Sequence, residues 1–398
     1  MESTPMYFGG VEGGATHSNL VICDHTGNVM GRAKGPGTNH WTIGIEECAK
    51  RVIAMLHAAK IDAGLPINKP LDSLGLTLSG CEQDSSNADL AAGVRQKDPD
   101  CAKAIYVASD TAGSLFTGAT NGGMVLIAGT GSNALLRTPE GQQYGCGGWG
   151  YLLGDEGGAY WIAHRAVKMV FDDADGLRAA PHCTERLWKA VQDHFQAHNR
   201  ADLLPHAYKH FDKSHFAGLT AKLSSLAEDG DKLSQHLFAD AGAALAAHVA
   251  ALAERAEKKH GLNGDSCQNG SNGKNGPSNG QYEAANGQNG DSNGHESTNG
   301  FEKGLRVVCV GSVWNSWDAL KPGALKQLAD RKVKQELELV RLRVSSALGA
   351  AWLAAQHVGY ALPRDDSAFC EVFYTYRPDV KTKNVLEGCG CGDWSNWS

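Results

Sequence analysis

Two glycine-rich turns carry hydroxyl side chains of the type that bind phosphate groups. The clearer one, at residues 129–133, contains Gly129, Thr130 and Gly131 and follows an apolar run at 124–128 that predicts a buried strand. Glycines allow backbone N–H groups to approach an anion without interference from a Cβ atom, and the threonine adds a hydroxyl donor. This pattern predicts a phosphate-facing turn between two strands.

A similar turn occurs near the N-terminus. Gly13, Gly14 and Thr16 stand between predicted strands at 7–11 and 19–23. This turn joins two strands and does not open a helix, so it is not a Rossmann fingerprint, and the sequence contains no Walker A motif. A plain tight turn is the alternative interpretation. Because the strand–turn–strand unit occurs twice, we predict a duplicated α/β chain whose two turns meet at one cleft.

An acid and an amide lie next to other predicted elements. Asp110 lies just past a predicted strand at 104–108, which is where open α/β sheets bind their ligands. Its alternative role is to cap the helix that follows. Asn39 lies in a loop before a helix predicted over residues 43–63, where it either caps this helix region or faces a polar ligand.

The segment after the second phosphate turn predicts a ligand-facing loop. A short strand at 134–138 is followed by a glycine-rich loop at 147–158, which contains Gly148, Trp149 and Asp155, and then by a helix from residue 159. A carboxylate suits sugar hydroxyls, and an indole can pack against a sugar face. The alternative for Trp149 is ordinary core packing.

Composition limits the class of protein. The 398 residues favour two domains, and 42% hydrophobic with 20% charged residues is typical of a globular protein. The net charge of -7 and the lack of a basic stripe argue against nucleic-acid binding. The N-terminus lacks the features of a signal peptide, and the 11 cysteines are scattered. We therefore expect reduced thiols, a cytoplasmic location and no membrane partner.

Residues 262–300 differ sharply from the rest of the chain. They are rich in Asn, Gly and Ser and cannot bury enough apolar surface to fold, so we predict a disordered surface insertion. The predicted domains are residues 1–119 and residues 120–362, the latter containing the insertion, and residues 363–398 form a tail. After the insertion, a strand at 305–310 ends in Gly311 and Ser312.

The motifs taken together point to a family. They resemble the eukaryotic N-acetyl-D-glucosamine kinases, BadF-type members of the superfamily of sugar kinases, actin and large heat-shock ATPases. The resemblance runs from residue 7 to residue 362, interrupted by the insertion. It is carried by eight segments: residues 9–14 (GGVEGG), 38–41 (TNHW), 110–114 (DTAGS), 129–133 (GTGSN), 145–150 (GCGGWG), 154–157 (GDEG), 159–164 (AYWIAH) and 310–314 (VGSVW).

The resemblance implies an α/β fold of two ribonuclease-H-like, actin-like ATPase domains around a central cleft. It also implies ATP and Mg²⁺ as cosubstrates, a homodimer, and phosphorylation of N-acetyl-D-glucosamine at the 6-hydroxyl in amino-sugar salvage. The implied sugar-binding residues are Asn39, Asp110, Gly148, Trp149 and Asp155. The implied ATP-binding residues are Gly13, Gly14, Thr16, Gly129, Thr130, Gly131, Ala217, Gly311 and Ser312.

The chemistry of phosphoryl transfer assigns one further role. Asp110 is our candidate general base, which accepts the proton of the attacking hydroxyl. No protein ligand is predicted for the metal, and Mg²⁺ is expected to arrive on the ATP phosphates.

Two alternatives to this function stay open. One is a related kinase that prefers N-acetylmannosamine or glucose. The other is an ATP-binding regulatory or scaffolding protein with weak catalysis. The second alternative rests on Ala15, where a third glycine is common in the family, and on Cys81 and Glu82, where the family more often has Gly-Asp.

Overall fold

The computed structural model describes residues 5–119, 122–260, 304–364 and 366–378. These residues form two β-sheets flanked by helices. The predicted insertion at 262–300 lies outside the described residues, and so does the chain beyond residue 378.

The first sheet has five strands in the order β3-β2-β1-β4-β5. Its first three strands are antiparallel, whereas β4 runs parallel to both β1 and β5. The carboxyl ends of β1, β4 and β5 therefore meet at one edge. The strands are β1 (Tyr7–Gly13), β2 (His17–Asp24), β3 (Val29–Pro36), β4 (Leu71–Leu78) and β5 (Ala102–Ser109).

The second sheet repeats this arrangement and adds one strand. Its order is β11-β10-β9-β6-β7-β8, and its strands are β6 (Gly123–Ala128), β7 (Ser132–Arg137), β8 (Gln143–Gly147), β9 (Leu305–Val310), β10 (Leu337–Leu342) and β11 (Cys370–Tyr376). Strands β6–β10 have the same order and the same relative directions as β1–β5. This confirms the duplication predicted from the two glycine-rich turns. The sixth strand, β11, lies within the predicted tail.

Helices occupy most of the connections between strands. They are α1 (His40–Ile43), α2 (Ile45–Asp62), α3 (Asp84–Lys97), α4 (Asp110–Gly118), α5 (Ala159–Ala174), α6 (Glu185–Phe195), α7 (Leu204–Ala207), α8 (Lys213–Glu228), α9 (Lys232–His260), α10 (Trp317–Asp330), α11 (Ala347–His357) and α12 (Asp366–Phe369). The helix predicted over residues 43–63 is confirmed as α2, and Gly44, with a φ of +80°, separates it from the short α1 that precedes it. One strand was missed, since β8 lies in a segment for which no strand was predicted.

Each sheet has its own apolar core. On α2, the side chains of Cys48, Val52 and Leu56 recur at helical spacing and pack against Val11 and Leu20 of the first sheet. A larger cluster lies between the second sheet and helices α5 to α10. Within α9, the segment Lys232–Arg255 is apolar and long enough to cross a bilayer, and 72% of this apolar stretch is buried inside the protein. Its apolar surface is therefore explained by core packing.

Two helices pack on the sheet of the opposite half. Helix α11 lies between β10 and β11 of the second sheet in sequence, yet Ala351 and Trp352 pack on Phe8 of the first sheet. Conversely, Leu115 of α4 packs on Val308 of the second sheet. This exchange joins the halves through two buried interfaces. The domain ranges 1–119 and 120–362 stay a prediction, since α11 belongs to the second range and contacts the first sheet.

Candidate active site

The two glycine-rich turns occupy equivalent places and touch each other. The first turn connects β1 to β2, and the second connects β6 to β7. The hydroxyl oxygens Oγ1 of Thr16 and Thr130 lie 3.1 Å apart. A Cβ atom on Gly129 would meet nothing within 4 Å, so there is open space beside the second turn. The tertiary structure therefore brings both predicted phosphate turns to one point.

The beginning of α8 adds two polar side chains at this point. Asp212 caps the helix by accepting hydrogen bonds from the backbone N–H groups of Ser214 and His215. The Ser214 hydroxyl then lies 3.2 Å from the Thr16 hydroxyl. Three hydroxyl groups from three distant chain segments are thus collected together, which suits an oxygen-rich anion.

Asp155 lies against the second turn. It is 4% exposed and its backbone has a φ of +64°, a left-handed conformation that is uncommon for a residue other than glycine. The backbone N–H of Ser132 donates to Oδ1 at 3.1 Å, and the Lys213 ammonium donates to Oδ2 at 2.7 Å. A Cβ atom on Gly131 would overlap this carboxylate, so the turn requires glycine there.

Asp110 begins α4, at the carboxyl end of β5. The helix cap is Ser109, whose hydroxyl accepts a hydrogen bond from the N–H of Thr111, so the alternative in which Asp110 is the cap was wrong. Burial and the negative charge of Glu82 raise the pKa of Asp110 to about 7, with a smaller contribution from Glu12. A carboxylate with a pKa near neutrality suits a general base.

Glu82 follows β4. Of the two acids whose charge raises the pKa of Asp110, Glu82 has the larger effect. The Ser109 hydroxyl lies 3.3 Å from Oε1 of Glu82 and 3.3 Å from Oδ1 of Asp110. Desolvation of its carboxyl group raises the pKa of Glu82 as well, although the residue as a whole is exposed. Glu82, which stands where the family more often has Asp, therefore lies close to Asp110. The sequence alone did not indicate this proximity.

Asn39 caps α1, as one of its two interpretations predicted. Its Oδ1 accepts a hydrogen bond from the Trp41 N–H at 3.0 Å, and its Nδ2 lies 3.5 Å from the Ser79 hydroxyl at the end of β4. The N–H of Ser79 donates to the carbonyl of Gly13, which joins this region to the first turn. The role of Asn39 in sugar binding stays a prediction.

Gly148 and Trp149 lie just past β8. Trp149 is 70% exposed, so the alternative of core packing was wrong for this side chain. Gly148 has a φ of +78°, and a Cβ atom on it would lie 2.7 Å from the amide oxygen of Asn133. The exposure of Trp149 leaves its indole available to a ligand, and contact with the sugar stays a prediction.

The other predicted ATP-binding residues lie near the second turn or on α8. Gly311 and Ser312 are exposed at the end of β9, which runs parallel to β6 next to the second turn. Ala217 is buried on α8, one helical turn after Lys213. The structure thus brings these segments to one side of the cleft, and their contacts with nucleotide stay predictions.

The acidic residues of the cleft suit Mg²⁺ that arrives with nucleotide. Glu12 lies in β1 and accepts hydrogen bonds from Asn19 at 2.7 Å and from the Ser346 hydroxyl. Among the described residues, no group of three His, Cys, Asp or Glu side chains could hold a metal ion. Mg²⁺ usually uses one or two carboxylates together with substrate phosphates. Glu12, Glu82 and Asp110 supply oxygen ligands of that type.

Lys213 and Ser214 are site residues that sequence reasoning missed. The predicted motifs contain few basic residues, and the structure adds the Lys213 ammonium to them. The available signal was Asp212 ahead of the apolar helical pattern at 216–227, which is typical of a helix start. No local signal indicated that this helix begins at the two phosphate turns.

Comparisons with known proteins agree with this arrangement. Residues 10–279 match the profile of the BadF/BadG/BcrA/BcrD ATPase family. The chain is 28% identical over 256 residues to an N-acetyl-D-glucosamine kinase of Dictyostelium discoideum, covering 60% of this chain and 76% of that one. It is 31% identical over 192 residues to the glucosamine kinase GspK of Vibrio cholerae, covering 48% and 61%.

Solved structures show the same fold. A candidate N-acetylglucosamine kinase from Chromobacterium violaceum superposes with a TM-score of 0.62 at 24% identity, covering 88% of this chain and 99% of the other. A ROK family glucokinase from Streptomyces griseus, solved with glucose and AMPPNP, has a TM-score of 0.50 at 12% identity, with the same coverage. The actin-like two-domain ATPase fold expected from the sequence is thereby confirmed.

Proposed function

This chain belongs to the BadF/BadG/BcrA/BcrD ATPase family, and on that premise we propose that it is an ATP-dependent N-acetyl-D-glucosamine kinase. The observation that supports this most is the contact between Thr16 and Thr130, 3.1 Å apart, because a kinase of this fold needs both turns at one phosphate chain. Asp110 stands at the same edge of the first sheet, with its pKa raised to about 7 by burial and by Glu82.

The proposed reaction transfers the γ-phosphoryl group of ATP to the 6-hydroxyl of the sugar. The hydroxyl oxygen forms a bond to the γ-phosphorus while the bond from that phosphorus to the β–γ bridging oxygen breaks, and ADP leaves with the bonding electrons. The hydroxyl proton goes to Asp110. Mg²⁺, when bound, would be held by the phosphate oxygens with one or two of the carboxylates of Glu12, Glu82 and Asp110, and would neutralise charge on the phosphates. The turn amides and the hydroxyls of Thr16, Thr130 and Ser214 orient the phosphates.

The residues proposed for the sugar side of the cleft support this choice of acceptor. Asn39 has an amide that can pair with an N-acetyl group, Trp149 has an exposed indole for a sugar face, and Asp155 has a carboxylate for hydroxyl groups. The Dictyostelium relative is an N-acetylglucosamine kinase and the Vibrio relative is a glucosamine kinase. These relatives make N-acetylglucosamine the first acceptor to test and glucosamine the second.

The test is ADP release from Mg·ATP with N-acetylglucosamine, N-acetylmannosamine, glucosamine, glucose or no sugar. We expect the fastest release with N-acetylglucosamine, and none with its 6-deoxy analogue, which lacks the attacking hydroxyl. A faster rate with another sugar would change the acceptor and leave phosphoryl transfer intact. Bound ATP without release for any sugar would overturn the proposal in favour of a regulatory or scaffolding protein.

A further inference from the structure

The first two residues of α8 contact both halves of the cleft. The Lys213 ammonium lies 2.7 Å from the carboxylate of Asp155 in the glycine-rich loop at 147–158. The hydroxyl of the next residue, Ser214, lies 3.2 Å from the hydroxyl of Thr16 in the first phosphate turn. Helix α8 is itself fixed, since the Thr220 hydroxyl donates to the carbonyl of Ala159 at 2.6 Å. Lys213 therefore has a defined position between the sugar side and the phosphate side.

The partner of Lys213 lies directly against the second phosphate turn. The Asp155 carboxylate accepts the Ser132 N–H and packs so closely on Gly131 that no side chain fits there. The ammonium therefore lies one hydrogen bond away from a carboxylate that packs against the second phosphate turn. Its side chain is 25% exposed, whereas that of Asp155 is 6% exposed, so part of Lys213 remains accessible although its partner is buried.

The charge of the proposed reaction favours a cation near the phosphates. ATP brings several negative charges, and the strand ends at the site add the carboxylates of Glu12, Glu82 and Asp110. Hydroxyl groups orient phosphate oxygens but do not neutralise them. A lysine ammonium acts as a point charge that suits phosphate. The attraction between these two charges is stronger in a partly buried cleft than in water.

We propose that Lys213 is a phosphate-binding residue, whose ammonium contacts the phosphate chain held between Thr16 and Thr130 and is positioned by Asp155. This inference rests on the proposed function, since it takes ATP to be the nucleotide bound. It assigns to Asp155 a second role, in which the carboxylate proposed to bind the sugar also orients the cation proposed to contact the phosphates. The two substrates would then share one ion pair.

The test compares nucleotides that differ in phosphate content. Lys213→Met keeps the length of the side chain and removes its charge, and Lys222→Met makes the same change at an exposed position further along α8. Affinities for Mg·AMPPNP and for AMP are measured by calorimetry without sugar. We expect Lys213→Met to lose about 10- to 100-fold for AMPPNP, as for one hydrogen bond to a charged group, while AMP binding is unchanged.

Other outcomes of this comparison overturn the inference. Parent affinity for AMPPNP in Lys213→Met would show that the ammonium does not contact phosphate. An equal loss for AMPPNP and AMP would indicate a structural role only. Lys222→Met should bind both nucleotides as the parent protein does. Because no sugar is present, these results are independent of the acceptor assay that tests the proposed function.

A second measurement covers the case in which Lys213→Met does not fold. The unaltered protein is treated with an amine-acetylating reagent in Mg·AMPPNP, in AMP or in buffer, and acetylation of Lys213 and Lys222 is read by peptide mass spectrometry. We expect AMPPNP to protect Lys213 while AMP does not, with Lys222 modified equally in all three. Equal acetylation of Lys213 with and without AMPPNP would refute the proposed contact.

Discussion

The hydroxyl oxygens of Thr16 and Thr130 lie 3.1 Å apart, although 114 residues separate them in the chain. One belongs to the turn after β1 and the other to the turn after β6, so the contact closes the cleft between the two sheets. A phosphate chain that binds at this point can accept hydrogen bonds from both hydroxyls. The contributions of Thr16 and Thr130 to the proposed nucleotide binding are therefore expected to be coupled.

A double-mutant cycle tests that coupling. Thr16→Val and Thr130→Val each remove a hydroxyl at nearly constant shape, and each is expected to raise the KM for ATP by about tenfold, the value of one hydrogen bond. The combined variant should lose less than the product of the two effects, because both hydroxyls act on one phosphate chain. Steady-state kinetics at saturating sugar measure this.

The control for this cycle lies at the other end of β2. Thr26→Val changes an exposed threonine in the β2–β3 turn and should leave the KM for ATP unchanged. Strictly multiplicative effects of the two cleft variants would contradict a shared ligand.

Asp110→Asn tests the candidate base. Asparagine has nearly the same shape but cannot accept the hydroxyl proton, so we expect kcat to fall by about 10²- to 10⁴-fold while the affinity for sugar changes little. Turnover and equilibrium sugar binding are measured on the same preparation. Asp84→Asn, at an exposed acid in the first turn of α3, is the matched control and should keep full turnover. Near-normal turnover in Asp110→Asn would remove Asp110 from the mechanism.

The pH profile of turnover should report Asp110. Since burial and Glu82 raise its pKa to about 7, the base form is present above that pH, and kcat should rise as pH increases through about 7. Glu82→Gln removes the nearby negative charge, so the rising limb should move to lower pH. Profiles from pH 5 to 9 decide this, with Glu47→Gln on α2 as the control. If the rising limb of the Glu82→Gln profile stayed at the same pH, Glu82 would not be a cause of the raised pKa of Asp110.

The same raised pKa predicts that Asp110 lowers stability at neutral pH. Its folded-state pKa, about 7, exceeds the ordinary value of 3.8. The folded state therefore binds the proton more tightly, and this group makes folding less favourable as pH rises from about 4 to about 7. Asp110→Asn should raise the thermal unfolding temperature at pH 8 and change it little at pH 4. An equal change in the unfolding temperature at pH 4 and at pH 8 would contradict a link between the protonation of Asp110 and stability.

A glycine at position 10 is predicted to be required for α11 to pack on the first sheet. A Cβ atom on Gly10 would overlap the backbone carbonyl of Ala347 and the backbone N of Ala351. Gly10→Ala must displace α11, and we expect it to cost about 1–3 kcal/mol or more of stability, as for overpacked cores. Gly145→Ala is the control, since a Cβ atom there meets nothing within 4 Å. Equal unfolding temperatures for the two variants would contradict this close approach.

Much of the fold could be predicted because its signals are local. Apolar runs predicted the central strands, glycines and hydroxyls predicted the two phosphate turns, and the repeated unit predicted two related sheets. Local prediction failed where the signal was weak or long-range. Strand β8, with the sequence QYGCG, has little strand pattern and forms because it pairs with β7. Helix α1 has only four residues, lies ahead of the helix predicted over 43–63, and ends at Gly44, whose φ is positive.

The sequence by itself determined which chemical groups are available and in which turns they stand. Capping by Asn39 and the turn at Gly129 depend on neighbouring residues, and such interactions are encoded within a few positions. Tertiary structure alone decided the distances between remote groups. Glu82 acts on Asp110 because β4 and β5 are parallel neighbours. Lys213 reaches Asp155 because α8 begins where the two halves meet, and no spacing along the chain specifies that meeting.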